Sequence, residues 1–232
     1  MFEIVFLGTS ASAPSVARNL SASMVLHKQY RFLVDCGEGT QRQLLKSGLG
    51  FKRLKIILLT HGHLDHILGL GGLVSTFSRW EAVESLEIYG GRWALDRVQD
   101  LIFGVVLRGA TPLIELELIE LSPGVVLEDD DFTLSAFPVT HRGPGCFGFT
   151  FEERSKRPFL VEEAERLGVP AGKERKRLVE GKAVTLPDGS TVHPDQVLGP
   201  PRPGVKLAYV GDAARVDDLI PHVLEADGVV IE

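Results

Sequence analysis

"ILLTHGHLDHILGLGGL", residues 57–73, gathers His61, His63, Asp65 and His66 into six consecutive positions between apolar runs. Residues 55–59 read as a buried strand, and the spacing of Ile67, Leu68, Leu70, Leu73, Val74 and Phe77 predicts a helix, so the polar group falls on the turn between the two. Four titratable side chains there would lose hydration unless something pairs with them. A bound cation removes that difficulty: imidazole nitrogens and carboxylate oxygens are good zinc ligands, and a mixed set also admits manganese or iron. His61 and His63 point to one side of an extended segment, whereas Asp65 and His66 follow after the chain has bent. One tetrahedral centre therefore suits them less well than two adjacent ions, which in such sites lie about 3.5 to 4 Å apart. Further ligands must come from elsewhere. His141 in "FPVTHRGPG" and Asp212 in "YVGDAA" each follow an apolar strand and precede a turn, as His61 does, and a carboxylate such as Asp212 can bridge two ions. His27, His193 and His222 lack such company and read as ordinary hydrogen-bonded residues.

The rest of the chain suits a protein built around such a site. Its 232 residues, 44% hydrophobic and 24% charged, can enclose a substantial core. No apolar run approaches the roughly 20 residues a membrane-spanning helix needs. Two cysteines, both beside glycines, do not make a disulfide framework, and "MFEIVFLGTS" reads as a strand rather than a signal peptide, so a cytoplasmic location is expected. A net charge of −6 argues against wholesale nucleic-acid binding, so any such contact must be local. Strands are expected at residues 2–7, 24–27, 31–35, 86–89, 114–121, 132–139 and 147–151, and helices from Glu38 or Gly39 to Gly48, over 92–103 and over 216–226. This alternation favours a layered α/β fold. Gly69, Gly71 and Gly72 weaken the helix after Asp65, unless close packing requires them. Over residues 152–204 apolar periodicity fades and charges crowd, which reads as an insertion with a hairpin turn at "LPDGST". Within it, "GKERKR" places Lys173, Arg175, Lys176 and Arg177 around one glutamate, a candidate phosphate-binding patch.

"THGHLDH" matches the H-x-H-x-D-H signature of the metallo-β-lactamase superfamily. The opening "FLGTSASAPSVARNLSA" (residues 6–22), "LVDCGEGTQRQLL" (33–45), "LEDDDF", "VTH" and "VGD" fall in the order that the tRNase Z family shows, and this resemblance covers nearly the whole chain. It implies an αββα sandwich formed by residues 1–151 and 205–232, with a flexible inserted arm over 152–204 that serves as a tRNA-binding exosite. It further implies a zinc-dependent endoribonuclease that removes the 3′ trailer from precursor tRNA as a homodimer, leaving a 3′-hydroxyl on the tRNA and a 5′-phosphate on the trailer. By resemblance, His61, His63 and His141 hold one zinc, Asp65 and His66 the other, and Asp212 lies between them. Asp65 would carry the proton, and Arg18 and Asn19 would contact RNA together with the arm. Manganese could replace zinc. Val16 stands where the family has lysine, Ala213 where it has threonine, and Ile231 where it has a histidine that precedes a glutamate, here Glu232. The resemblance thus implies an incomplete second metal site with partial occupancy and low activity. Two alternatives remain: a small-molecule phosphodiesterase of the same superfamily, and a catalytically incomplete RNA-binding protein.

Overall fold

The computed structural model describes residues 1–80 and 83–232. The chain begins with an antiparallel meander of β1 (Glu3–Gly8), β2 (Ala22–His27) and β3 (Tyr30–Val34), whose second turn needs only Lys28, at φ 52°, and Gln29. Helix α1 (Thr40–Lys46) leads to β4 (Ile56–Leu58), the short α2 (Leu64–Ile67) and α3 (Gly69–Trp80). Then come β5 (Ser85–Gly90), α4 (Arg92–Gln99), which widens into a π-helical turn over Asp100–Val106, and β6 (Glu115–Glu120). These strands form one sheet in the order β1-β2-β3-β4-β5-β6, parallel from β3 onward.

The second sheet starts with β7 (Gly124–Glu128), β8 (Phe132–Pro138) and β9 (Phe147–Glu153). After it the chain passes through α5 (Val161–Arg166), α6 (Lys173–Val179), β10 (Val184–Thr185) and β11 (Thr191–Val192). It returns as β12 (Lys206–Val210), α7 (Ile220–Val223) and β13 (Gly228–Ile231), giving the order β13-β12-β9-β8-β7. Strand period separates two cores. Leu33 and Ile57 face the helices, joining Leu44, Leu70, Leu73, Phe77 and Val98, whereas Phe32, Val34, Ile56 and Leu58 face Phe132, Leu134, Phe149, Phe151 and Tyr209 of the second sheet. A third cluster, Phe137, Val139, Cys146, Val210 and Leu219, covers the outer face of that sheet. The layers are therefore helix, sheet, sheet, helix, as the resemblance implied, and no described helix is long and apolar enough to cross a membrane.

Two compact units emerge from the internal packing, Met1–Glu152 with Val205–Glu232, and Glu153–Gly204. The second unit, where apolar periodicity looked weak, still encloses Ala164, Val169, Leu178, Val184, Leu186, Val192 and Val197. Other expectations need correction. Helix α1 starts at Thr40 because Gly39 adopts a left-handed φ of 83°. A helix over 216–226 does not form: Asp217–Leu219 makes a 3-10 turn, α7 is a single turn, and Leu224 turns extended before Glu225 at φ 59°. Strand β7 is absent from the expected strands because much of it is exposed, so its sequence carries no apolar alternation.

The glycines after Asp65 have two different explanations. Cys36 N–H donates to His66 O (2.7 Å) and Gly69 N–H to Cys36 O (2.8 Å), so the α2–α3 junction docks backbone to backbone on the turn after β3. A Cβ on Gly69 would lie 2.1 Å from Gly37 O, whereas one on Gly71 would meet only the Leu101 and Val106 side chains at 3.5 Å. Gly69→Ala is expected to lower stability by about 1–3 kcal/mol, and Gly71→Ala to be neutral or to raise it by about 0.5–1 kcal/mol. Urea denaturation of both variants checks the contrast; equal effects would contradict the close-packing account.

Candidate metal centre

Strand ends aim the polar cluster at one place. His61 and His63 sit on the turn after β4, His63 in extended geometry just before α2, and Asp65 and His66 on the first turn of that helix. His141 follows β8 and Asp212 follows β12, where Gly211 lets the backbone approach Thr60: a Cβ there would lie 2.7 Å from Thr60 Oγ1. Single ligand atoms of His61, His63, His141 and Asp212 all fall within 4.8 Å of one another, and the same holds for His66, Asp212 and Glu232. Asp212 thus belongs to both groups. His61 Nε2 and His63 Nδ1 are 2.8 Å apart, His141 Nε2 is 3.3 Å from His63 Nδ1, and Asp212 Oδ2 is 3.2 Å from His141 Nε2. Asp65 belongs to neither group; its Oδ2 accepts the backbone N–H of Ser12 at 2.9 Å and lies 3.8 Å from His66 Nε2.

A buried carboxylate that the sequence did not reveal orients this set. Asp35, fully buried at the end of β3 with φ 59°, accepts Thr60 N–H (2.8 Å), Thr60 Oγ1–H (2.8 Å) and His66 Nδ1–H (2.7 Å). Thr60 has one hydroxyl proton, and Asp35 receives it. Thr60 Oγ1, 3.0 Å from His61 Nδ1, must then accept from that ring nitrogen, which leaves the lone pair of His61 on Nε2, facing His63. Burial disfavours the charged form of His61 and pushes its pKa down to about 3, with help from the neighbouring rings; burial also lowers that of His141. Burial acts the same way on His66, but the Asp35 charge and hydrogen bond outweigh it and raise its pKa to about 9. Neutral imidazole nitrogens facing one another beside an aspartate form a donor set that a divalent cation satisfies, and the residues present fit a metal. The cleft around them, about 610 Å³, is lined by His63, Asp65, Arg97, His141, Arg142 and Asp212 among others.

The other candidates belong to neither group of ligand atoms. Asn19 is occupied within the opening loop and α1: its Nδ2 donates to Glu38 O (3.1 Å) and its Oδ1 accepts from Gln43 Nε2 (3.0 Å). Arg18 is exposed. In the second unit, Arg175 donates to Val169 O at 3.2 and 3.3 Å and stacks 5.9 Å from Phe159, so it holds its own helix, whereas Lys173, Lys176 and Arg177 are exposed. Asp35 carried one legible signal: a lone carboxylate ending an apolar strand, the same arrangement that pointed to Asp212.

Comparison with known proteins gives the chain a family. Residues 17–156 match the metallo-beta-lactamase superfamily. The chain is 46% identical to ribonuclease Z of Bradyrhizobium diazoefficiens and 48% identical to that of Bradyrhizobium sp. strain ORS 278, in each case over all of this chain and 77% of the relative. Among solved structures, the short form of human tRNase Z superposes with a TM-score of 0.67 at 25% identity, over 99% of this chain and 76% of that one.

The opposite shifts of His66 and His61 give the metal-free protein a defined pH profile. His66, raised from 6.5 to about 9, contributes stability that is complete below its ordinary value and is lost as pH climbs through 9. His61, depressed to about 3, contributes stability that is present above 6.5 and is lost as pH falls toward 3. Chelator-treated protein should therefore lose on the order of 3 kcal/mol between pH 6.5 and 9.5, and His66→Gln should abolish most of that slope in urea melts. A slope unchanged in the variant would refute the assignment.

Proposed function

The chain belongs to the ribonuclease Z family of the metallo-β-lactamase superfamily, metal-dependent nuclease hydrolases, and we propose that it is a zinc-dependent endoribonuclease that cuts the 3′ trailer from precursor tRNA. Water adds to phosphorus, the P–O3′ bond breaks, and the tRNA keeps a 3′-hydroxyl while the trailer carries a 5′-phosphate. The observation that carries this reading is the convergence of His61, His63, His141 and Asp212 within 4.8 Å in a chain with relatives of this kind. Those four residues would hold one zinc. His66 and Asp212 would hold a second, with Glu232 in the same group and Asp65 alongside; manganese suits the same donors. Divalent ions bound there would supply Lewis-acid polarisation of the phosphodiester and an acidified water.

The chain's own residues supply the rest. The Ser12 N–H fixes one oxygen of Asp65, so that the carboxylate is poised to take a proton from the attacking water or to pass one to the leaving O3′. Asp35, through Thr60 and directly, sets which nitrogen His61 and His66 present. Lys173, Lys176 and Arg177 on α6, with Arg18 on the opening loop, would grip the RNA backbone, which reconciles a net charge of −6 with a polyanionic substrate. By family resemblance we also assign a homodimer and a cytoplasmic location.

A precursor tRNA transcript should be cut in the presence of zinc and left intact after chelation, and Asp65→Ala should lower kcat by about 10²–10⁴ with little change in KM. Turnover of bis(p-nitrophenyl) phosphate without cleavage of the transcript would favour a small-molecule phosphodiesterase, and binding without cleavage a non-catalytic role. Replacing Lys173, Lys176 and Arg177 together by alanine should raise KM and flatten its salt dependence, by roughly 0.7–0.9 in log–log slope for each phosphate no longer neutralised.

A further inference from the structure

Helix α4 carries a pair of side chains, Trp93 and Arg97, one turn apart, that stand beside the metal-binding edge without belonging to its donor set. The Trp93 ring stands edge-on to His63, centroids 5.3 Å apart and planes at 88°. It also fills space on both ligand-bearing turns: a Cβ on Gly62 would lie 2.9 Å from this ring, and one on Gly143 2.7 Å from it. The indole is thus wedged between the turn of His61 and His63 and the turn that follows His141. Over its face lies the guanidinium of Arg97, with Cζ 4.7 Å from the ring centroid. Arg97 Nη1 donates to Gly62 O at 3.0 Å, the carbonyl between the two histidines. An arginine has five N–H donors in a planar fork. The stack and the one carbonyl fix the plane of the Arg97 fork, and no other hydrogen-bond acceptor holds its side chain among the described residues. Its head lines the same cleft as Asp65, His141 and Asp212, with a second guanidinium, Arg142, also on the wall.

A metal cluster that only had to hold ions would gain nothing from two cations on its rim, because like charges near bound cations repel. The arrangement becomes favourable once a polyanion enters the cleft. We propose that Arg97, held in orientation by Trp93 and the Gly62 carbonyl and assisted by Arg142, binds a backbone phosphate next to the scissile one and thereby sets the register of the RNA on the metals. This rests on the endoribonuclease reading above and adds to it a residue that selects a polynucleotide over an isolated phosphodiester. Trp93 is a positioning residue: it touches His63 and Arg97, not the substrate.

The test compares wild type, Arg97→Ala and Arg97→Lys on two substrates, precursor tRNA and bis(p-nitrophenyl) phosphate, which has no neighbouring phosphate. Arg97→Ala should lower kcat/KM for precursor tRNA mainly through KM. The loss should exceed that on bis(p-nitrophenyl) phosphate by at least about tenfold, the range expected for one good arginine–phosphate pair. Metal content by atomic emission should stay at the wild-type level. Binding of precursor tRNA to chelated protein should lose roughly 0.7–0.9 from its log–log salt slope, and Arg97→Lys should restore that slope while recovering only part of the KM. Equal losses on both substrates, a fall in bound metal, or an unchanged salt slope would overturn the assignment by reducing Arg97 to support for the His63 turn. A wild type that neither binds nor cuts precursor tRNA would instead overturn the endoribonuclease reading itself, and this role with it.

Discussion

The buried carboxylate of Asp35 is the interaction on which the metal-binding edge depends. An unpaired charge at that depth would be prohibitive, and three hydrogen bonds, two from Thr60 and one from His66, make it tolerable. The same bonds join the end of β3 to the turn after β4 and to α2. They dictate the tautomer of His61 and the charge of His66, so one residue sets the chemistry of two prospective ligands. Its left-handed backbone, at φ 59°, lets the chain turn away and leaves the following amide and carbonyl of Cys36 to dock on His66 and Gly69. Gly37 and Gly69 lack side chains because that docking brings backbone against backbone.

Much of this was legible from residue order. Strand ends rich in apolar side chains and followed by histidine or aspartate predicted His61, His141 and Asp212 at one edge, and in the structure they meet there. The alternation of Phe147, Phe149 and Phe151 predicted a strand, and all three are buried between the sheets. What escaped depends on contacts between segments distant in sequence. Asp35 looks like any loop-initiating aspartate until Thr60 and His66 are folded onto it. The Trp93 and Arg97 pair reads as an ordinary amphipathic helix until Gly62 and Gly143 are seen to make room for the indole. Arg175 illustrates the converse. Within a run of basic residues it is indistinguishable from its neighbours, yet its guanidinium is committed to Val169 O and Phe159.

The second unit shows the same limit for packing. Its apolar residues are spread over short elements of six or seven residues or fewer, too brief for periodicity to accumulate, and still Leu178, Val184, Val192 and Val197 close a small core. Such a core lets the unit present exposed lysines and arginine on a defined helix instead of a disordered tail, with less ordering entropy lost when a ligand binds.

His63 and His141, 78 residues apart, come from the edges of different sheets, and their ring nitrogens are in reach of each other only after the sandwich has closed. An ion captured there would act as a late cross-link: binding the closed sandwich and not the denatured chain, it would pull the equilibrium toward the folded state and staple two layers that otherwise hold together by greasy packing. The catalytic edge would double as a lock on the folded state, so that starvation for metal would shorten the life of the protein as well as silence it.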